Sequence, residues 1–120
     1  MNEKRKILKE KIEELRNYWI DPKYRDGLEK AIADAITFVE MLPCEAPDPF
    51  VSRAEDGEVV LEWWNHAIVG FNAVVGFDGD GTYGYAIYKS RWEPGHYEGK
   101  VTSPIPKDLL DALLKEKTEK

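Results

Sequence analysis

The group of residues whose types and spacing come nearest to a known site is Asp78-Gly79-Asp80-Gly81. On the EF-hand calcium pattern Asp78 and Asp80 take the third and fifth ligand positions, with Gly81 as the invariant glycine. The first and twelfth ligands then fall on Gly76 and Ile87, which offer no side-chain oxygen, and the loop is left short of donors. The run reads instead as a hairpin turn, because glycine reaches the positive φ that tight turns need. Cys44 and the two histidines, His66 and His96, are far apart in sequence. A nucleophilic Cys–His pair would need the fold to bring them within hydrogen-bond reach, and no Cys or His pair has metal-ligand spacing. Ser52, Ser90 and Ser103 lack the glycine-flanked elbow of hydrolases, and no glycine motif that cradles phosphate is present. Glu58 and Glu62 share one face of a predicted strand and are read as exposed strand acids rather than a catalytic pair. The expectation is an enzyme-free reading, with no catalytic residue, no metal site and no cofactor.

The elements that must position these groups follow from hydrophobic spacing. Leu8, Ile12, Leu15 and Trp19 recur at intervals of four, three and four, which predicts an N-terminal helix with Ile7 beside the stripe. Asp21-Pro22 predicts a capped helix start, followed by Leu28, Ile32, Ala35, Val39 and Leu42 on one stripe, widened by Ala31, Ile36 and Phe38. Gly27 weakens the first turn and allows a later start at Asp26. The helical region thus covers 3–42. Pro43, Pro47 and Pro49 make 43–49 a stiff, non-helical connector.

From Phe50 the period changes to two. Phe50–Arg53, Glu58–Trp64, Val69–Phe77, Tyr83–Ser90 and His96–Val101 read as short strands. Asp56-Gly57, Asn65-His66, Asp78–Gly81 and Glu93-Pro94-Gly95 supply the turns between them. Strands joined this way, with no helix between them, predict an antiparallel β-meander of four to five strands over 50–101. Pro104-Ile105-Pro106 then opens a C-terminal helix, 106–116, with Leu109, Leu110, Leu113 and Leu114 in a stripe. The fold class is α+β in a single domain over 1–120, the helices covering one face of the sheet. The charged ends, Met1–Lys6 and Lys115–Lys120, are expected to fray.

Charge limits the partners. The net charge of −6 argues against a nucleic-acid binder. The acidity is also concentrated, since residues 26–80 hold twelve Asp/Glu against two Lys/Arg. Such a segment is a solvated face or a surface that steers toward a basic partner. No apolar run approaches the roughly 18 residues that cross a bilayer. The charged N-terminus has no signal-peptide core, and a lone cysteine cannot form an internal disulfide. Cytoplasm is the natural expectation, although a processed secreted protein without disulfides fits the same facts. Trp63, Trp64, Trp92, Tyr83, Tyr85, Tyr88 and Tyr97 all fall in the sheet region, as core rings or as a contact patch.

Pro47-Asp48-Pro49-Phe50-Val51-Ser52, followed by Asp56-Gly57-Glu58-Val59-Val60-Leu61-Glu62-Trp63, resembles a group of short bacterial and phage proteins. In these a proline-rich connector enters a D-G-x-x-x-L-E-W hairpin, and a leucine-rich helix closes the chain. The resemblance implies an α+β fold and no particular activity. By size and acidity the chain is also similar to anti-CRISPR, antitoxin and immunity proteins. This second likeness implies a small inhibitor or neutraliser that occupies a basic protein surface, without direct contact to nucleic acid or membrane. Glu58, Glu62, Trp64, Asp78, Asp80 and Tyr88 are the expected partner-binding residues. Two other readings stand beside it: a small-molecule-binding or enzymatic domain with its site between helices and sheet, and a homodimer formed through the N-terminal helix.

Overall fold

A computed structural model describes residues 3–65, 71–88 and 95–118. Within those ranges the side chains of Lys4 and of residues 64, 65, 71, 72, 88, 95, 96 and 115–118 fall outside the description. Helix α1 spans Glu3–Glu13 and tightens into a 3₁₀ turn at Glu14–Asn17. Leu8, Ile12 and Leu15 are buried as their spacing requires, but Trp19 is 79% exposed. The expected stripe stops short because Tyr18 adopts an extended backbone (φ −93°, ψ 149°). That breaks the helical repeat and turns Ile20, not Trp19, into the core. Leu8, Ile12 and Leu15 are thus packed within the chain, while Ile7, Tyr18 and Trp19 are exposed.

Helix α2 runs Pro22–Glu40, with Asp21 accepting the Lys23 N–H at 3.1 Å and proline in the first turn, so Gly27 does not delay the start. Leu28, Ala31, Ile32, Ala35, Phe38 and Val39 are buried along it. Its C-terminal end is held by Arg5, whose guanidinium donates to the carbonyls of Val39 (3.5 Å) and Pro43 (3.2 Å). A cation over the last carbonyls of a helix complements the helix dipole. This corrects the expectation that Met1–Lys6 is loose throughout, since Arg5 is buried and anchors α1 to α2. The proline connector is tied down as well, the Trp63 indole N–H donating to the Pro47 carbonyl at 2.7 Å.

Five antiparallel strands follow in the order of the chain: β1 Phe50–Arg53, β2 Val59–Asn65, β3 Phe71–Phe77, β4 Thr82–Tyr88 and β5 Gly95–Lys100. Helix α3, Lys107–Thr118, closes the fold. The fold is the α+β architecture that the spacing predicts. The expected turns at Asn65-His66 and Glu93-Pro94-Gly95, and the strand ends at Val69 and Ser90, lie wholly or partly outside the described residues.

One sheet face is the core. Val59, Leu61, Trp63, Val75, Phe77, Tyr83, Tyr85 and Ile87 are buried on it. Phe38 of α2 packs edge-on against Phe77 and Tyr83, with ring centroids 5.5 and 5.0 Å apart. Such aromatic geometry adds about 0.5–1.5 kcal/mol per pair beyond burial. Leu109 and Leu113 of α3 are buried, while Leu110 and Leu114 are only half-buried. The Tyr85 hydroxyl donates to Asp108 Oδ1 at 3.0 Å, tying α3 to the sheet. The β3–β4 turn docks on α2. Gly79 has φ 88°, and a Cβ there would stand 2.8 Å from the Gly27 carbonyl oxygen and from Lys30 Cβ. The Gly81 N–H donates to Asp34 Oδ2 at 2.9 Å.

Candidate functional site

The strand register fixes what stands on the other face. Residues that pair across the sheet share a face, and alternate residues along each strand belong to opposite faces. Val60, Gly76, Gly84 and Glu98 form one continuous row; Phe50, Glu62, Val74, Ala86 and His96 form the next. All lie opposite in parity to the core residues that pack on α2. The middle of this face is built from small residues, and acids stand toward its rims. The result is a groove of about 730 Å³ over β2–β5, floored by Val60, Val74, Gly76, Gly84 and Ala86, with Glu58 and Glu98 in its lining.

Glu58 is the most constrained acid in the groove. Its carboxyl group lies directly over Gly76, where any Cβ would collide with it. It is half-buried, and among the described residues no donor or cation meets it. Loss of water raises its pKa, and the nearby charges of Asp78 and Asp56 raise it further. Glu62 is half-buried one row along, between Phe50 and Val74. Phe50, on the edge strand, is 68% exposed.

The two turn aspartates have a different role. Asp80 Oδ1 accepts the Thr82 hydroxyl (2.7 Å) and the Thr82 N–H (3.0 Å), and those bonds to the ionised form lower its pKa. Both Asp78 and Asp80 are exposed at the end of the sheet, and Asp78 acts on the groove through its charge on Glu58. Of the expected contact residues, then, Glu58 and Glu62 stand on the open face, and Asp78 and Asp80 stand at its end. The backbones of Trp64 and Tyr88 belong to rows of the same face, but their side chains lie outside the described residues, as does all of Trp92.

Sequence reasoning missed Glu98, Gly84 and the groove itself. The available signal was a pair of glycines, Gly76 and Gly84, inside two predicted strands, where glycine is uncommon without a bulge or a close approach. Cys44 is exposed in the connector. The expected test of a Cys–His pair lies outside the described residues, because the side chains of His66 and His96 are not among them. Among the described residues no group of three His, Cys, Asp or Glu could hold a metal ion, and no helix is long and apolar enough to cross a membrane.

Comparisons with protein-family models, with curated proteins and with solved structures found no match.

Proposed function

We propose that this protein is a small, acidic protein-binding inhibitor or neutraliser that works by seating the open face of its sheet on a basic partner surface. The observation that carries the reading is asymmetric cover. Three helices pack on one face of a five-stranded sheet, while the other face carries a shallow groove with an apolar floor and acids at its sides. An apolar floor supplies area to bury, and the acids steer a basic partner and reject an acidic one. In its sharpest form the reading is a phage anti-CRISPR protein whose acids meet a basic nucleic-acid channel; antitoxin and immunity proteins work by the same physics.

The alternative, a small-molecule or enzymatic site between helices and sheet, draws less support. That interface is filled by Phe38, Phe77, Tyr83, Leu61 and Leu109. Although the groove is concave, it opens on the side away from the helices.

A photo-crosslinking residue at Val60, on the groove floor, should give a covalent adduct with a host protein of basic surface. The same residue at Thr37, exposed on α2, should not. Equal adducts from both positions, or turnover of a small molecule by the purified chain, would overturn the proposal.

A further inference from the structure

Three glycines inside the strands have defined surroundings, and two of them have a structural reason to be glycine. Gly99 lies beneath the Tyr83 ring and Gly76 beneath the Glu58 carboxyl group, and in each case a Cβ would collide. Gly84 has no such reason. Its φ is not positive, and among the described residues the nearest atom to a Cβ built there is the Tyr97 carbonyl oxygen, at an ordinary 3.9 Å. It is exposed in the interior of β4, with neighbouring strands on both sides. Glycine weakens a strand interior because it loses more chain entropy on folding and packs nothing. A Cβ would fit the site, and β-branched residues favour strands. What glycine supplies here is bare backbone that another group can approach.

The register names what surrounds that bare backbone. Gly84 pairs with Gly76 on one side and with Glu98 on the other. The Glu58 carboxyl group over Gly76 and the Glu98 side chain thus flank it, across two strand spacings of about 10 Å in total. Glu58 is partly withdrawn from water with no counter-charge among the described residues, and Asp56 and Asp78 are close enough to repel it. Lys100, two residues beyond Glu98, is the one cation that the register puts on this face among the described residues, and it lies in the next row, beside Thr82.

We propose that the groove over Gly84 is the docking point for one arginine side chain of a protein partner, with Glu58 and Glu98 as the receiving acids. This rests on the reading of the open face as a binding surface and names its partner chemistry. Charge complementarity selects a cation. The planar, weakly hydrated guanidinium suits an exposed peptide plane between two carboxylates better than a compact ammonium does.

The test uses the full chain and fluorescein-labelled peptides of alternating arginine and threonine, with lysine–threonine and glutamate–threonine peptides and free arginine amide beside them. The arginine peptide should bind saturably by anisotropy and shift the amide resonances of Gly76, Gly84, Ala86 and Glu98. Gly84→Val should melt no lower than the parent chain yet bind the arginine peptide more weakly, on the order of tenfold or more for a buried charge contact. Glu58→Gln should weaken binding similarly, whereas Asp26→Asn, on the exposed flank of α2, should not. If Gly84→Val fails to fold, Glu58→Gln decides the matter alone.

Unchanged affinity in the deciding variant, equal binding of the lysine peptide, no binding of the arginine peptide, or shifts confined to the acids of α1 would each overturn the proposal. If it falls while Val60 still crosslinks to a protein, the surface-binding reading stands and only the arginine assignment is lost. If the arginine peptide binds as described but Val60 finds no protein, the broader reading is the one that fails.

Discussion

The two faces of the sheet are made by the same five strands and obey opposite rules. On the helix-covered face large side chains fill the space: Phe77, Tyr83 and Tyr85 meet Phe38 and α3, and the residue opposite a ring is reduced to Gly99 so that the ring can lie flat. On the open face Gly84 is exposed with no side chain over it among the described residues, and Gly76 has the Glu58 carboxyl group above it. Glycine therefore has two meanings in one sheet. At 99 it completes packing; at 84 it withholds packing. The covered face is organised for stability, and the open face carries features that cost stability: an interior glycine without a steric partner and a half-buried acid among like charges.

Substitutions should separate the two faces, and the largest effect belongs to the core. Ile32 is about 1% exposed at the centre of α2, and Ile32→Ala should lower unfolding stability by about 2–5 kcal/mol in denaturant titration. A loss below about 0.5 kcal/mol, the range of surface changes, would mean that α2 does not cover the sheet. Next comes Gly99→Ala. The added methyl group displaces the Tyr83 ring, an overpacking that should cost about 1–3 kcal/mol. If it is neutral, the contrast between Gly99 and Gly84 disappears.

A smaller effect, of opposite sign, is expected at Glu58. In the folded protein its carboxyl group holds a proton to higher pH than the ordinary value of 4.5. The folded state therefore binds more protons than the unfolded state, and stability falls as pH rises from about 4.5 through the raised pKa. Glu58→Gln should raise the melting temperature at pH 7, and the gain should fade as pH falls through the raised pKa toward 4.5. A destabilised variant at pH 7 would show that the carboxylate is held by a favourable partner.

The smallest effects are expected where the sequence carries reactive residue types without an arrangement that uses them. Calcium should leave the melting temperature unchanged, since Asp80 is engaged by Thr82; a saturable rise abolished by Asp78→Asn would restore the calcium-loop reading. Changing Cys44, His66 and His96 together to alanine should leave partner binding near the parent level. A folded but inactive triple variant would return the enzyme reading to first place.

Much of the architecture was legible from local rules. The four-and-three spacing of α1 and α2, the Asp21-Pro22 start, the proline connector and the glycine turns each depend on neighbours within a few residues. Backbone sterics and helical periodicity act at that range, so sequence alone determined most of the elements, their order and the alternation of faces along the three central strands. It also placed Glu58 and Glu62 opposite Leu61 and Trp63. Trp19 was misplaced because a 3₁₀ turn and one extended residue shift the helical phase, a choice made by the packing of Ile20. Arg5 looked like one more charge in a basic terminus until tertiary contact set it over the last carbonyls of α2. The groove belongs to the same class. Gly76, Gly84 and Glu98 are separated by eight and fourteen positions in the chain, and only strand pairing sets them side by side. Alternation along a strand tells which face a residue takes, but it holds no information about which residue of the next strand stands opposite. That register is decided by turns and core packing acting together, and so the site, unlike the elements that carry it, belongs to the tertiary structure.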